Sequence, residues 1–553
     1  MLSTKMKKML SLTLALLMAG SMVACGSSGD GGWGDVSVGE GQTLLKISPF
    51  NGGYGLAWLD ALKEEYEKKN PDVVIGYSKT IVDRSTQTTA IKSGSADADL
   101  YFTSLPVHYD LYHQYLADLS DVYTEISDAV NPSVVNWFKS GENQYAVPWA
   151  SAVLGILYHK SFFANNNIQV PRTTDELLNA AKTITAMRKN GSTSSYAFSY
   201  SDNEDTGECY WDYMFNPWMA QYEGIDYYEN YWECKLKDGT QYDSRIVSEY
   251  KGVLRTLEVY EELLSSSNEY NHRLSKDDDF TTAQFRFLDG EAQMMVNGDW
   301  IVQEMEKSGN YDKEETEDVA FMKTPIISSI VETMPMWEEA SNVQYTVDPD
   351  NNTGNAVALS ADKKAAYESA LVAIIDYVDG TTTEKPTNVS GIVISDADII
   401  RIQEARSITP TMVDNHTIVV PKCSKNQEIA KDFIKFMYSQ EGIALYANNV
   451  YGTGLPANYT PDEIQGLVGN SAFLKSAYDM LVSDNTYFTF YSGGKDVTFT
   501  AGGLRPTYRT DGKTFVEVMI SSAASIKETA YEFYKSSQTQ TVINWENILF
   551  PGR

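Results

Sequence analysis

The sequence predicts an α/β protein built in at least two lobes, and three observations carry that expectation. A short apolar strand, Leu44 to Ile47, is followed by a helical repeat and then by a second strand, Val73 to Tyr77. A third strand follows at Asp99 to Phe102. With 553 residues, the chain is also longer than one hydrophobic core normally serves. A strand–helix–strand order of this kind implies parallel pairing with a right-handed crossover.

Each element has a local cause. Ser48-Pro49 breaks the first extended run, and Phe50-Asn51-Gly52-Gly53-Tyr54-Gly55 makes a turn. Trp58, Leu59, Leu62 and Tyr66 then recur at helical spacing, which assigns Trp58 to the core. Asn70-Pro71 stops that helix, and another ends across Ala90 to Ser93. Gln144 to Trp149 is extended and leads into an apolar strand, Val153 to Tyr158. Arg172-Thr173-Thr174-Asp175-Glu176-Leu177-Leu178 starts a helix, with threonine capping and acids in the first turn. An aromatic-rich segment runs from Tyr196 to Tyr242, and a helical stretch lies near Ala365 to Tyr377.

The N-terminus has its own grammar. Lys5, Lys7 and Lys8 precede an apolar run from Met9 to about Ala19, too short to span a bilayer as a mature helix. Met22-Val23-Ala24-Cys25 follows, then a Gly/Ser-rich tract. The four residues resemble a bacterial lipobox, with Met22 where leucine is usual. The resemblance implies a signal peptide over 1–24, diacylation of Cys25, a flexible tether over 25–42, and lipid anchoring on the extracytoplasmic face of the cell membrane. An ordinary secretory peptide with an incidental cysteine is the competing reading.

The composition excludes some partners. The chain carries 44 basic and 75 acidic residues, a net charge of −31. Losing the three signal lysines leaves 41 against 75, or −34. Such a surface repels polyanions, so nucleic acid is not an expected partner. Of the four cysteines, Cys209 and Cys234 could pair across the aromatic segment or remain thiols, and Cys423 is left over. The five histidines show no metal spacing; His108 and His113 are five apart. Asp348, Asp350 and Asn352 alternate like the start of a calcium loop, but glycine falls one residue late and the closing glutamate is missing. A solvated turn is the expectation there, with no metal and no cofactor.

Three longer motifs resemble the family-1, maltose-binding-like extracellular solute-binding proteins of carbohydrate ABC importers. The first runs from Tyr145 to Ile184 and includes Val147-Pro148, Tyr158-His159-Lys160 (asparagine is usual at the histidine) and Thr174-Asp175-Glu176-Leu177. The second is Phe287-Leu288-Asp289-Gly290-Glu291-Ala292-Gln293-Met294-Met295-Val296-Asn297-Gly298-Asp299-Trp300. The third spans Thr417 to Tyr438 and contains Ser424-Lys425-Asn426-Gln427-Glu428-Ile429-Ala430.

The resemblance implies a type II periplasmic-binding-protein-like fold: two α/β lobes joined by hinge strands, with the ligand in the cleft between them. It implies crossings near Val147-Pro148-Trp149, Lys323-Thr324-Pro325 and Leu455-Pro456. The first lobe would then be 43–148 plus 325–455, with 330–410 an insertion, and the second 149–324 plus 456–553. The implied function is that of a monomeric receptor that captures a sugar, an oligosaccharide by its size, and hands it to ABC permease subunits without turnover.

Sugars present C–H faces to aromatic rings and hydroxyls to polar groups. On the family pattern the candidate ligand residues are therefore Asn51, Tyr54, Trp149, Trp211, Trp218, Asn297, Asp299, Trp300 and Arg505. No catalytic residue is assigned, because the sequence has no Gly-x-Ser-x-Gly elbow, phosphate loop or His-Glu-x-x-His. The competing functions are a secreted glycoside hydrolase, or the same fold taking a non-sugar solute such as a peptide.

Overall fold

The computed structural model describes residues 32–34, 36–79, 84–103, 113–130, 132–135, 138–201, 210–232, 235–240, 249–307, 315–337, 360–412, 416–454, 471–480 and 486–490, with short pieces at 509–510, 513–514, 530 and 532–536. Among the described residues eleven strands make the two main sheets, beside three two-stranded pairs. They are β1 (Thr43–Ser48), β2 (Val73–Tyr77), β3 (Leu100–Thr103), β4 (Val147–Pro148), β5 (Ala152–His159), β6 (Tyr196–Ser199), β7 (Ala292–Gly298), β8 (Val319–Phe321), β9 (Ile408–Met412), β10 (Thr417–Val419) and β11 (Tyr487–Phe490).

The first sheet has the order β2-β1-β3-β10-β4. β1 pairs in parallel with β2 and β3, as the strand–helix–strand pattern predicts. β10, from far along the chain, enters antiparallel between β3 and β4. The helix Ala57–Lys69 buries Trp58, Leu59, Leu62 and Tyr66, the face that its spacing defines. Against it pack Phe102 and Tyr446, whose rings meet Trp58 edge-on at 5.4 Å each. The motif after β10 has a structural task. Ser424 Oγ donates to Asp99 Oδ1 at 2.6 Å, and Asn426 Nδ2 donates to Asp99 Oδ2 at 3.1 Å, fixing the entry to β3.

The second sheet runs β11-β9-β5-β7-β6, with β8 also paired to β5. β5 is buried along nearly its whole length, which explains its unbroken apolar sequence. Thr173 caps the helix Thr174–Lys189 by accepting from the Glu176 amide at 3.1 Å, where the sequence places the cap.

The segment 325–412 differs from expectation. Its described parts, 325–337 and 360–412, stay with the second sheet instead of returning to the first. Pro325 O accepts from Trp218 Nε1 at 3.1 Å, Ile326 bridges to Thr173, and β9 pairs with both β5 and β11. The helices Ala361–Val378 and Asp396–Ser407 are tied to the same lobe by arginines. Arg172 Nη1 meets Asp376 at 2.8 Å, and Arg406 reaches both Asp379 (2.7 Å) and the Thr324 carbonyl (2.7 Å). Long-range pairing of this kind leaves no local trace in sequence. The turn Asp348 to Gly354 lies outside the described residues.

Glu368, on the first of these helices, accepts from the Thr173 hydroxyl. Burial pushes its carboxyl up to about 7, against hydrogen bonds from Thr173 and Ser328 that lower it, with Asp175 and Glu176 pushing further upward. A raised native value means that its stabilising contribution is full at acid pH and is lost as pH rises through about 7. Glu368→Gln is expected to stabilise the protein by about 1–2 kcal/mol at pH 8 and to change little at pH 5, after discounting for partial exposure. Thermal melts at the two pH values check this.

Candidate functional site

Among the described residues the chain passes between the sheets three times. It leaves β4 and enters β5 through Trp149–Ser151, returns between β9 and β10, and leaves the helix Gln440–Asn449 by way of Gly454 towards the helix Ala472–Tyr478. The crossings are tied to each other by backbone hydrogen bonds. The Trp149 amide donates to the His416 carbonyl at 3.0 Å, and the Ser151 amide to the Gly454 carbonyl at 3.1 Å.

At these crossings the turn after β1 meets the end of β7. Tyr54 Oη donates to Asp299 Oδ1 at 2.7 Å, and the Gly454 amide donates to Asp299 Oδ2 at 2.8 Å. Asp299 is buried, and its own amide donates to the Val153 carbonyl at 3.0 Å. Burial pushes its carboxyl up to about 6, opposed by the hydrogen bonds from Gly454 and Tyr54. Tyr54 is raised well above its ordinary value, first by burial and then by the Asp299 charge. Gly454 is obligatory here: its φ is +59°, and a Cβ would lie 2.5 Å from Tyr54 Cζ. The His416 ring sits beside Tyr54 and Phe50, with centroids 5.3 Å from each. Burial holds that imidazole down to about 3, so it is neutral, and its Nδ1 has no hydrogen-bond partner among the described residues.

Trp300 lies one residue beyond Asp299. Its ring folds back over Gly298, where a Cβ would stand 2.3 Å from Cζ3. Tyr210 and Tyr213 stack on each other at 5.1 Å, and each meets the Trp300 ring nearly perpendicular at 6.2 Å. From the other lobe, Gly53 comes close enough that a Cβ there would be 3.1 Å from Trp300 Cβ. Trp300 is therefore an interlobe residue.

The other sequence candidates divide. Asn51 is exposed on the turn that carries Tyr54. Asn297 is buried in β7, and its Oδ1 accepts from the Gly298 amide at 2.7 Å. Trp149, Trp211 and Trp218, expected as ligand platforms, have no exposed surface. Trp149 packs edge-on against Tyr446 (4.9 Å) and Tyr438 (5.4 Å). Trp211 packs on Phe198 at 5.1 Å, and Trp218 lies against Tyr260 at 5.6 Å. All three are packed among other rings in this structure, where burial of the indole is favourable. Arg505 and Cys25, with Cys209 and Cys234, lie outside the described residues.

The stretch Tyr210-Trp211-Asp212-Tyr213 matches a region where the family has a cleft aromatic, but the sequence points to Trp211 in it rather than to Tyr210 and Tyr213, and His416 is not singled out at all. The i, i+3 spacing of the two tyrosines was a usable signal; nothing local marks His416. Aromatic faces, phenols and a neutral imidazole at a hinge are equipment for holding a polar solute with apolar faces.

The fold has many solved relatives at low identity. SBP RafE in complex with raffinose superposes with a TM-score of 0.54 at 12% identity, covering 90% of this chain and 100% of that one. The GacH receptor of Streptomyces glaucescens, solved unliganded and with acarbose, gives 0.52 at 14% identity, covering 93% and 100%. An ABC substrate-binding protein from Listeria monocytogenes in complex with cycloalternan gives 0.52 at 14%, covering 92% and 99%. No curated protein sequence matches significantly. These likenesses bear on the two-lobed type II architecture; the sequence profile described as "Bacterial extracellular solute-binding protein" matches residues 52–444, and this chain belongs to that family.

Proposed function

We propose that the protein is a lipid-anchored, extracytoplasmic receptor that closes its two lobes on a sugar, an oligosaccharide by preference, and delivers it to an ABC importer without transforming it. The observation that carries this reading is Trp300. Its indole stands at the interlobe contact, braced on two sides by Tyr210 and Tyr213 and approached by Gly53 from the opposite lobe. A pyranose C–H face stacks on a rigid ring of this kind, and Trp300, buried with the lobes as they stand, is presented to a solute in this reading when they part. Asn51, exposed on the facing turn, and the neutral His416 supply hydroxyl partners in this reading. Family membership supports solute capture, and the relatives' raffinose, acarbose and cycloalternan support the ligand class. A carbohydrate bound between rings and dipoles rather than ion pairs is also compatible with a chain of net charge −31. Anchoring through Cys25 would hold the receptor beside its permease, since two acyl chains resist dissociation where one does not.

Titration of the purified chain with raffinose, chitin oligosaccharides and cycloalternan, followed by tryptophan fluorescence and calorimetry, is expected to find a saturable ligand and no released reducing ends. Silence across the panel would sink the sugar reading, and reducing ends would turn it to hydrolysis. With the ligand in hand, Trp300→Ala should weaken binding by about 2 kcal/mol, roughly thirtyfold in Kd. Gly298→Ala should also weaken it, by about tenfold or more, because the new methyl occupies the space of the Trp300 ring; unchanged affinity would disconnect that ring from the ligand. Cys25→Ser is expected to move the protein from the membrane fraction into the medium on cell fractionation.

A further inference from the structure

Asp299 has a second consequence, separate from reading a ligand. Both of its carboxylate oxygens are already occupied, one by the Tyr54 hydroxyl and one by the Gly454 amide. Those donors belong to the turn of the first lobe and to the third crossing, whereas Asp299 closes a strand of the second sheet. We infer that Asp299 is a positioning residue, the pin on which the lobes close, and that closing the cleft takes up a proton at this carboxylate. The inference extends capture by closure and does not depend on which solute is captured.

The surroundings decide the sign. The groups that face Asp299 are Tyr54 from the turn, Tyr446 from the helix Gln440–Asn449 and Tyr478 from the helix Ala472–Tyr478, with His416 against the Tyr54 ring. The three phenols are raised well above their ordinary range, chiefly by burial, so they stay neutral. His416 is held down to about 3 and stays neutral above pH 4.5. Glu304, on the helix after Trp300, receives Gln284 Nε2 at 2.7 Å. Among the described residues the buried carboxylate therefore has donors but no cation to offset its desolvation. Opening the lobes returns it to water and lets it fall from about 6 towards its ordinary 3.8. Proton uptake on closing follows by linkage, and acid favours the closed form. The neutral acid can keep both contacts. Its carbonyl oxygen accepts from Gly454, its O–H donates to Tyr54 Oη, and the phenol proton turns away.

Small-angle X-ray scattering of the full, unliganded chain tests this without any sugar. Between pH 7.5 and 4.5 the closing equilibrium should rise about 30-fold, seen as a fall in radius of gyration. Asp299→Asn, which reproduces the neutral acid in shape, should be compact at both pH values. Tyr54→Phe removes a donor to the charged form and should move the transition to higher pH. Circular dichroism confirms that each variant is folded. A pH-independent radius in the unaltered chain, or a transition that survives in Asp299→Asn, overturns the proposal. Because no ligand is present, a failed sugar titration leaves this result untouched, and a failure here leaves the sugar reading untouched.

Discussion

One buried carboxylate organises the junction of the two lobes. Asp299 sits where β7 ends, away from water, and must find its hydrogen bonds within the protein. It finds them at Tyr54 and Gly454, positions 245 and 155 residues away in the chain. Breaking either contact strands a buried charge, so the turn after the first strand and the last crossing are held to the same point. Gly454 can take that place only because it lacks a Cβ and tolerates a positive φ. The crossings at Ser151 and His416 are then fixed by backbone hydrogen bonds to Gly454 and Trp149.

Aromatics make up 12% of the chain, and among the described residues they serve mostly as packing. Trp58 and Trp149 share the first lobe's core with Phe102, Tyr438 and Tyr446, and Trp211 and Trp218 share Tyr260 in the second. Trp300 is set apart by its place in the chain. It follows a strand end whose preceding glycine leaves room for the ring to fold back, which delivers the indole to the interlobe contact. The Gly-x-Trp spacing of the sequence motif thus has a steric cause that is independent of ligand.

Much of this fold was legible because its signals are local. β1 to β3, the helix Ala57–Lys69, the Thr173 cap and the strand that delivers Trp300 follow from periodicity, capping chemistry and turn residues within a few positions. The return crossing was not. The resemblance implies a crossing at Lys323-Thr324-Pro325, but the destination of that segment depends on Thr173, Trp218 and Arg406, none of them a sequence neighbour. The candidate site shows the same division. Trp300 and Asp299 stand in a recognisable motif, while the roles of Trp149, Trp211 and Trp218 depend on which rings surround them. Composition cannot separate a cleft tryptophan from a core one.

The attachment of the long segment after Pro325 bears directly on closure. Its helices are pinned by Arg172 to Asp376, by Arg406 to Asp379 and by Arg401 to the Tyr222 carbonyl at 3.0 Å, all within the second lobe. Burial would raise the Asp379 carboxyl, but Arg406 and Lys323 outweigh it and hold it below its usual range, which keeps that pair charged and matched. An addition of this size anchored across both lobes would have to break such pairs each time the cleft opened. Anchored to one lobe, it travels as part of a rigid body, and the motion is left to three thin crossings and the contacts at Asp299. The cost of opening then resides in a few hydrogen bonds, offset in part by rehydration of one desolvated charge, small enough for a solute of ordinary affinity to bias.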